Sequence, residues 1–571
     1  MTEAPGKPEP RLTCPLDFDT LVPTPLRLGA IGVVLSLLYS ALRVWLDPLF
    51  NPDSVFYLVA AEAWIETGVG AALEIYWRPF YSILIGAFAL LSGLSALASA
   101  HVIDALFAAT LLVGVQLLIR ELGGDVRTQC VGLVLFLLLP SLHEYRTMIG
   151  RDLGYWAAAM LALVVLIRYA RSGHVRLMGL FYGAVLVAML FRPEAVMLLL
   201  LPFTLAIRRG GRQQVRAVLI AQAPLLFACL LLAVGALGSE RVSEFVAGVM
   251  QESLREPLRL LDTVPARFAD MRDAFSSRVL DAEFHDYAVI GLIAGIIAVV
   301  AAHFTAAISW PVLLIGLFGF RRESFKALDP DALRLAVWTI ALMVVMLCVF
   351  LVVRPLMQTR FLMLPAFIVL ALAPFAVAHV RRMAAQSGRL RPYRWVAGVL
   401  VAYLIVDAWC LLQHSKNYLL DAADLVRQEA GTDGKVLSND VRIAYLSGSS
   451  YRFDDLLVAR QLERLSPQRR RLLEADYDYW AVHLRAGSRD VSGLLDVLPA
   501  WREIGRTGNR KGDHVLVLVS PRRDDLSRDG PVPFAGRPPE ACWFCCWFGL
   551  SDSVRALIGR VGATDTCRAA A

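Results

Sequence analysis

The sequence predicts a polytopic α-helical membrane protein with about eleven transmembrane helices, further helices at the membrane interface and a small C-terminal α/β domain. Hydrophobic residues make up 57% of the 571 positions and charged residues only 19%, and the mean hydropathy is +0.56. Soluble globular proteins rarely reach this apolar fraction. Long apolar runs recur along the chain, and arginines concentrate in alternate connections between them, which is typical of a multi-pass membrane protein.

The apolar runs are long enough to cross a bilayer core of about 30 Å, although the shorter ones are near the lower limit. The first run, Leu26 to Leu46, follows a proline-rich tail without a basic-then-apolar signal peptide, so it is predicted to be an uncleaved transmembrane helix. The predicted spans are residues 26–46, 99–119, 129–146, 153–170, 177–191, 194–208, 217–237, 303–320, 335–353, 361–380 and 395–413.

The connections between the spans form a basic set and an acidic or balanced set. Residues 47–78 contain five acids against Arg78 alone, and acids are in excess in residues 239–286. The positive-inside rule places the basic connections in the cytoplasm. The N-terminus is then cytoplasmic and the chain after about Ser415 lies in the periplasm of a bacterial inner membrane. The basic connections contain Arg168, Arg171 and Arg176; Arg208, Arg209, Arg212 and Arg216; Arg321, Arg322 and Lys326; and Arg381, Arg382, Arg389, Arg391 and Arg394.

These cytoplasmic arginines also explain the net charge of +7 without nucleic-acid binding. Two further apolar stretches, Phe80 to Leu97 and Tyr287 to Val300, would each invert the downstream topology if they crossed. They are predicted to lie in, or dip into, the outer interface. The alternative is that both cross, which restores parity but turns the middle basic loops outward. Residues 240–262 have apolar residues at helical spacing and predict a surface-lying amphipathic helix.

The chain after the last span has a different character. Buried strands are predicted at 435–440, 478–484 and 514–520, with a helical pattern at 456–465 between them. The predicted organisation is a cytoplasmic tail (1–25), a transmembrane domain (26–414), a periplasmic α/β domain (415–525) and a Pro/Cys-rich tail (526–571). One or two disulfides in that tail fit an oxidising compartment, with the pairing open. The tail's cysteines are Cys542, Cys545, Cys546 and Cys567.

Asp53 directly follows the first span, in the sequence Asn-Pro-Asp-Ser-Val-Phe-Tyr. A carboxylate at the edge of the hydrocarbon core has a desolvation cost unless it is paired or hydrated, so its presence there favours a functional role. The alternative is a structural role as the N-cap of the helix that begins near Val55, because Asp is a preferred capping residue. The two interpretations have similar weight.

Asp152 stands at the outer start of the fourth span, close to His143, Glu144 and Arg151. A structural ion-pair network is one interpretation of this group of residues. Metal binding by His143, Glu144 and Asp152 is another, although their spacing matches no specific metal motif.

Arg354 and Arg360 flank a short loop without acids on the predicted outer side. Arginines on the outer side run against the preference of basic residues for cytoplasmic loops. A guanidinium group presents a planar set of hydrogen-bond donors suited to phosphate oxygens. The phosphate is either that of a substrate or that of ordinary lipid headgroups. Arg192-Pro193-Glu194 forms a tight outer hairpin between two short spans, and an Arg192–Glu194 pair that stabilises the hairpin is the favoured interpretation.

These loops together resemble the GT-C glycosyltransferases, which are polytopic enzymes that use polyprenyl-phosphate-linked sugars. The resemblance is to the branch with protein O-mannosyltransferases, aminoarabinose transferases of lipid A and bacterial sugar transferases of lipopolysaccharide, and it covers about residues 26–414. Phe361 replaces the family's Tyr, and Arg78 replaces its Lys or His. The segments that carry the resemblance are Asp53-Ser-Val-Phe-Tyr57, Trp77-Arg78-Pro79-Phe80-Tyr81, Arg151-Asp152, Arg192-Pro193-Glu194 and Arg360-Phe361-Leu-Met-Leu-Pro365.

The resemblance implies an inverting sugar transfer from a polyprenyl-phosphate donor in the bilayer to a glycan, lipid or protein acceptor. Asp53 would be the base, and Arg360 with Arg354 and Arg78 would hold the lipid phosphate, near Tyr57. Asp152 would orient the acceptor or share a divalent metal with Asp53; no other cofactor is implied. The residues that would contact the acceptor or support the site are His143, Glu144, Arg151, Arg192 and Glu194.

Two other classes of function remain as alternatives. A transporter or flippase of a lipid-linked anion would also need a basic cavity in an apolar bundle, but no inverted repeat is apparent and the charges collect at one face. An assembly factor that works through the outer α/β domain would not need Asp53. The enzyme hypothesis requires Asp53, Asp152 and Arg360 to converge in one extracytoplasmic cavity beside lipid.

Overall fold

The computed structural model describes residues 24–209, 255–321, 323, 328–353, 356–410, 416–452, 475–486 and 501–521. These residues are mostly helical. The predicted span 217–237, the helical pattern at 456–465 and the cysteine-containing tail lie outside them, as does most of the predicted amphipathic segment 240–262. In chain order the first helices are α1 Pro25–Leu46, α2 Ser54–Thr67, α3 Val69–Ile75, α4 Phe80–Ser92, α5 Ala96–Glu121, α6 Val126–Leu137, α7 Pro140–Tyr145, α8 Arg151–Ser172, α9 Val175–Phe191 and α10 Leu201–Arg209.

The chain after residue 209 adds eight helices and four strands to the described residues. Three short 3₁₀ helices, Pro193–Leu200, Ala282–Tyr287 and Thr359–Leu362, lead into longer helices. The remaining elements are α11 Arg255–Val279, α12 Ala288–Ile308, α13 Trp310–Gly319, α14 Pro330–Val353, α15 Met363–Gln386, α16 Leu390–Cys410, α17 Asn417–Ala430, β1 Val436–Ser438, α18 Val441–Ser447, β2 Tyr479–Leu484, β3 Arg502–Gly508 and β4 His514–Val519.

The chain is a multi-pass membrane protein. Six helical segments of the described residues are long and apolar enough to cross a bilayer, and several shorter apolar helices accompany them. The six segments are Pro25–Leu46, Ala96–Glu121, Arg151–Ser172, Glu283–Ile308, Pro330–Val353 and Thr359–Gln386.

Two predicted spans had wrong boundaries, and proline explains both. The predicted span 129–146 is interrupted between α6 and α7, at Pro140. Residues 287–300 and 303–320 were predicted to be separate segments, but α12 runs unbroken from Ala288 to Ile308 and a new helix begins after Ser309. Proline lacks the amide hydrogen that the helical ladder needs, so Pro311 cannot continue α12, whereas no proline interrupts that helix near residue 300.

The described residues form two compact units, made from Met1–Leu38, Ala105–Leu142 and Arg151–Ala408, and from Tyr39–Asp104, His143–Gly150 and Trp409–Ala571, as far as these ranges are described. We call them the first and the second unit. The domain boundaries predicted from the sequence remain a prediction.

In the first unit, an ion-pair group around the buried Glu121 joins the ends of three helices. Glu121 at the end of α5 accepts hydrogen bonds from Arg168 Nε at 2.8 Å and Arg171 Nη1 at 2.5 Å. Arg171 also lies 3.3 Å from Asp329, which precedes α14. Two of the arginines that predicted a basic loop therefore hold α5, α8 and the start of α14 together.

In the second unit, the C-terminal strands form a four-stranded sheet in the order β1-β2-β4-β3. Strands β1 and β2 are parallel, and the other two pairs are antiparallel. Helix α17 packs on the sheet through a buried face that includes Leu419 and Val426. The three predicted strands are present. Strand β3 was not predicted because it is a largely exposed strand at the sheet edge with the polar sequence Arg-Glu-Ile-Gly-Arg-Thr-Gly.

Candidate functional site

The first unit brings four of the predicted site residues together. Asp152 in the first turn of α8 forms an ion pair with Arg192, which follows α9. Asp152 Oδ2 also lies 3.9 Å from Arg360 Nη1, and Arg192 Nη1 lies 3.7 Å from Glu194 Oε1. The arrangement has two carboxylates and two guanidinium groups, so it is formally neutral. We call these four residues the Asp152 cluster.

Close helix packing positions the Asp152–Arg192 pair. Gly154 lies two residues after Asp152, and a Cβ atom added there would approach the ring of Phe191 to 2.6 Å. Only glycine lets α8 and α9 come this close without displacing Phe191. Phe191 itself packs against Phe107 with T-shaped rings 5.2 Å apart. Because Arg192 directly follows Phe191, this packing brings its side chain to Asp152.

Arg192 makes the pair with Glu194 that the sequence favoured and a second pair, with Asp152, that the sequence did not predict. The contact with Asp152 is the closer one. Phe361, which stands where the family pattern has Tyr, lies near both cations: the guanidinium carbons of Arg192 and Arg360 are each 5.5 Å from its ring centroid. This geometry is within the range of cation–π attraction. The contact between Arg360 and Phe361 could have been predicted from the sequence, because the two residues are neighbours in the chain.

Asp53 belongs to the second unit, where it precedes α2. Its backbone is at the N-cap position, but its side chain makes no capping hydrogen bond. The Asp53 amide instead donates to Asn51 Oδ1 at 3.0 Å, and the side chain is exposed. The capping role that was weighed equally with a functional one is therefore absent from the structure.

The residue after Asp53 ties the start of α2 to the loop before α8. Ser54 is buried, and its hydroxyl group lies 2.5 Å from the carbonyl oxygen of Met148 and 2.9 Å from that of Ile149. Ile149 has a φ angle of +40°, a strained value for a β-branched residue. The hydroxyl group thus supports a loop conformation that the backbone alone disfavours.

The same loop is attached to Asp104, a buried acid in α5. Asp104 accepts hydrogen bonds from Tyr81 Oη at 2.7 Å and from the amide of Gly150 at 3.2 Å. Tyr57 packs edge to face on Tyr81, with ring centroids 5.3 Å apart, and on Tyr76 at 5.1 Å. Tyr57 is therefore a buried residue of α2 that packs against two other tyrosines. Asp104 was not predicted as a site residue, although a lone acid in an apolar run is a signal that could have found it.

Two further predicted site residues of the second unit, Arg78 and His143, pack against aromatic rings. The guanidinium carbon of Arg78 lies 3.7 Å above the ring of Trp77. His143 is buried and packs on Tyr39 with ring centroids 4.3 Å apart. The nearby Arg146, which was not a predicted site residue, donates to Ser40 Oγ at 2.6 Å.

Glu144 is exposed and Arg151 is half-buried. Arg354 lies outside the described residues. The convergence of Asp53 with Asp152 and Arg360 remains a prediction, because Asp53 is in the second unit and the other two are in the first. The described residues contain no group of three or more His, Cys, Asp or Glu side chains that could hold a metal ion, so we assign no metal ligands.

No protein-family model matches the chain, and no curated protein sequence matches it. The chain is similar to the solved structure of the Archaeoglobus fulgidus oligosaccharyltransferase tethered with an acceptor peptide (TM-score 0.50, 11% identity, 80% of this chain and 68% of that chain). ArnT from Cupriavidus metallidurans (TM-score 0.37, 13% identity, 86% and 97%) and arabinofuranosyltransferase AftD from Mycobacteria (TM-score 0.44, 15% identity, 86% and 40%) are also similar.

At 11% identity the likeness to the oligosaccharyltransferase establishes a common fold, without information on substrate. The chain therefore has the fold of the GT-C glycosyltransferases, as its loop motifs predicted.

Proposed function

We propose that the chain is an inverting membrane glycosyltransferase that moves a sugar from a polyprenyl-phosphate donor to a cell-envelope acceptor on the periplasmic face. The acceptor is a lipopolysaccharide, another glycan or a protein. The observation that carries the proposal is the exposed Asp53 carboxylate, which starts α2 without capping it. The motif resemblance and the GT-C fold support the same activity.

In the proposed reaction, an acceptor hydroxyl or amine attacks the anomeric carbon as the bond from that carbon to the phosphate oxygen breaks. The bonding electron pair stays on the phosphate oxygen, and Asp53 takes the acceptor's proton. A positioned base of this kind contributes typically about 10²–10⁴ in rate. The direct displacement inverts the configuration of the sugar. The predicted convergence of Asp53 with the Asp152 cluster is part of this proposal.

Arg360, together with Arg354 and Arg78, is proposed to hold the lipid phosphate and to stabilise the charge left on it. The geometry of the Asp152 cluster supports a division of labour between its two cations. Arg192 is buried and is the close partner of Asp152, whereas Arg360 is more exposed and lies 3.9 Å away. Asp152 is then a residue that orients Arg360 or the acceptor, and Arg360 is the cation suited to an incoming anion.

A substitution of Asp53 tests the proposal, with Glu66→Gln as the matched control because Glu66 is an exposed acid on the same helix. Cells that lack the protein are complemented with each variant, and their envelope glycans are compared by mass spectrometry. Binding of the purified variants to vesicles that contain a polyprenyl phosphate is measured in parallel. Asp53→Asn is expected to lower sugar transfer at least about 10²-fold while it still binds the polyprenyl phosphate vesicles. The Glu66→Gln control is expected to remain active.

Three results would contradict parts of the proposal. Full transfer by Asp53→Asn would exclude Asp53 as the base. Unchanged envelope glycans in cells without the protein would exclude the transferase activity. Movement of a lipid-linked anion across vesicles without a covalent product would identify a flippase.

A further inference from the structure

The α/β part of the second unit holds the segment that leads to Asp53. Leu49 is buried in the apolar core that α17 and the sheet form. The next residue, Phe50, accepts a hydrogen bond on its carbonyl oxygen from Arg442 Nη1 at 3.1 Å. Its ring also packs edge to face on Tyr445 at 6.1 Å. A residue nearly four hundred positions away therefore binds the backbone three residues before Asp53.

A second contact lies on the other side of Asp53 in the sequence. Tyr445 Oη donates to Glu62 Oε1 at 2.7 Å, in the middle of α2. Tyr445 and Arg442 are both in α18, so one short helix contacts the chain before and after Asp53. These contacts leave the intervening residues little freedom to move relative to the sheet.

Arg442 is itself held in one orientation. Its Nε and Nη2 atoms donate to the two carboxylate oxygens of Asp440 at 2.8 and 2.6 Å. Both side chains are buried. A two-point contact with a carboxylate fixes the plane of the guanidinium group. The remaining donor, Nη1, then points at the Phe50 carbonyl oxygen in a fixed direction.

Asp440 is held in turn by His483. His483 Nδ1 lies 3.2 Å from Asp440 Oδ2, and its Nε2 lies 3.0 Å from Tyr418 Oη. The two ring nitrogens of His483 thus link the Asp440 carboxylate to the Tyr418 hydroxyl group. The amide of Asn439 fixes the His483 backbone through hydrogen bonds of 2.9 and 2.7 Å. Burial alone would raise the pKa of the Asp440 carboxyl, but the hydrogen bonds from Arg442 and His483 outweigh it and hold that pKa below its usual range.

We propose that Arg442 is a positioning residue for sugar transfer, which places Asp53 by binding the carbonyl oxygen of Phe50. The inference rests on the proposed function of Asp53 as the base. The basic oxygen of a general base must lie within about 2.6–3.2 Å of the acceptor atom whose proton it removes. An error of about 1 Å in such a position can cost about 10²-fold in rate. The α/β domain then has a part in the chemical step as well as in the fold.

The experiment compares Arg442→Lys and Arg442→Gln with Arg452→Gln. Arg452 is the matched control because it also pairs with an acid of the same domain, Asp476 at 2.5 Å, but its side chain is 66% exposed. The purified full-length variants are assayed with increasing amounts of lipid extract from native membranes, which gives an apparent kcat and KM. Hydrogen exchange of residues 47–57 is measured on the same samples in lipid nanodiscs.

Arg442→Gln is expected to lower kcat by about 10- to 100-fold with KM changed less than about threefold, and to speed exchange in residues 47–57. Arg442→Lys, which keeps the charge but loses the fork, is expected to fall between Arg442→Gln and the parent. In an Asp53→Asn background, Arg442→Lys is expected to reduce the residual rate no further, because both changes act on one step.

The inference is wrong if the Arg442 variants keep the parental kcat and exchange rates, if only KM changes, or if Arg442→Lys is equally harmful with and without Asp53. If Arg442→Gln does not fold, the inference is tested by kcat, KM and hydrogen exchange of Arg442→Lys. Full activity of Asp53→Asn would instead contradict the proposed function. The two failures are therefore distinguishable.

Discussion

The hydroxyl group of Ser54 lies 2.9 Å from the carbonyl oxygen of Ile149, and this contact joins the start of α2 to the loop that leads into α8. The two residues are 95 positions apart in the chain. Ile149 holds a left-handed backbone conformation with φ of +40°. Such strain persists only where the surroundings over-determine it, and it is concentrated at functional sites in proteins.

Ser54→Ala should therefore reduce transfer more than it reduces stability. Loss of one buried hydrogen bond costs about 1 kcal/mol, whereas release of the loop next to the proposed base should lower kcat by about 10-fold. Ser92→Ala is the control, since Ser92 is an exposed serine that donates to its own helix at Phe88. A variant with parental kcat would show that the contact has a structural role alone.

The Asp152–Arg192 pair should behave as a buried ion pair. Arg192→Met alone leaves Asp152 with a poorer partner and should lower the free energy of unfolding by about 3–5 kcal/mol. The double variant Asp152→Leu with Arg192→Met should regain most of that stability and remain inactive. Denaturant unfolding in detergent and the transfer assay check both parts. A double variant that is no more stable than Arg192→Met would contradict this account of the pair.

Arg360→Lys should weaken binding of polyprenyl phosphate vesicles by about 10-fold, because lysine retains the charge but loses the planar fork that binds phosphate at two points. Arg334→Lys is a matched control: its side chain is 23% exposed against 26% for Arg360, and it also lies near an acid, Asp331 at 3.4 Å. If both substitutions weakened vesicle binding equally, the effect of Arg360→Lys would not be specific to a phosphate site at Arg360.

The α/β domain should lose stability in acid through Asp440. The pKa of this carboxyl is held below its usual range in the folded chain, so below the unfolded value of about 3.9 the unfolded state binds the proton first. The contribution of Asp440 is complete above that pH and is lost as the pH falls through the folded pKa. Asp440→Asn should be less stable at pH 7 and show a flatter decline in acid. Hydrogen exchange of β2 measures the effect.

Glu62 should show the opposite dependence on pH. Burial raises the pKa of its carboxyl, although the hydrogen bond from Tyr445 opposes the rise. A raised carboxyl pKa gives stability that is complete below the unfolded value of about 4.3 and is lost as the pH rises through the folded pKa. Glu62→Gln keeps an acceptor for Tyr445 and should be neutral or stabilising at pH 7, with the difference disappearing in acid. Tyr445→Phe should be destabilising at pH 7. Thermal unfolding across pH checks the pair of variants.

The elements that the sequence predicted well are those with a strong local signal. The long apolar runs at residues 26–46 and 153–170 correspond to α1 and α8, and the short apolar segments 478–484 and 514–520, predicted to be buried strands, correspond to β2 and β4. The errors have local explanations too. Prolines 140 and 311 end helices that hydropathy alone would extend, and β3 has no apolar pattern because it lies at a sheet edge.

The sequence by itself determined the membrane class of the protein, the positions of its main apolar helices and the residue types able to handle a lipid phosphate, because hydropathy and charge are properties of short segments. Tertiary structure alone decided that Arg192 pairs with Asp152, that Asp53 leaves its helix uncapped and that Arg442 binds the Phe50 backbone. Those contacts join residues tens to hundreds of positions apart. Their formation depends on packing such as the close approach of Gly154 to Phe191, which no local pattern encodes.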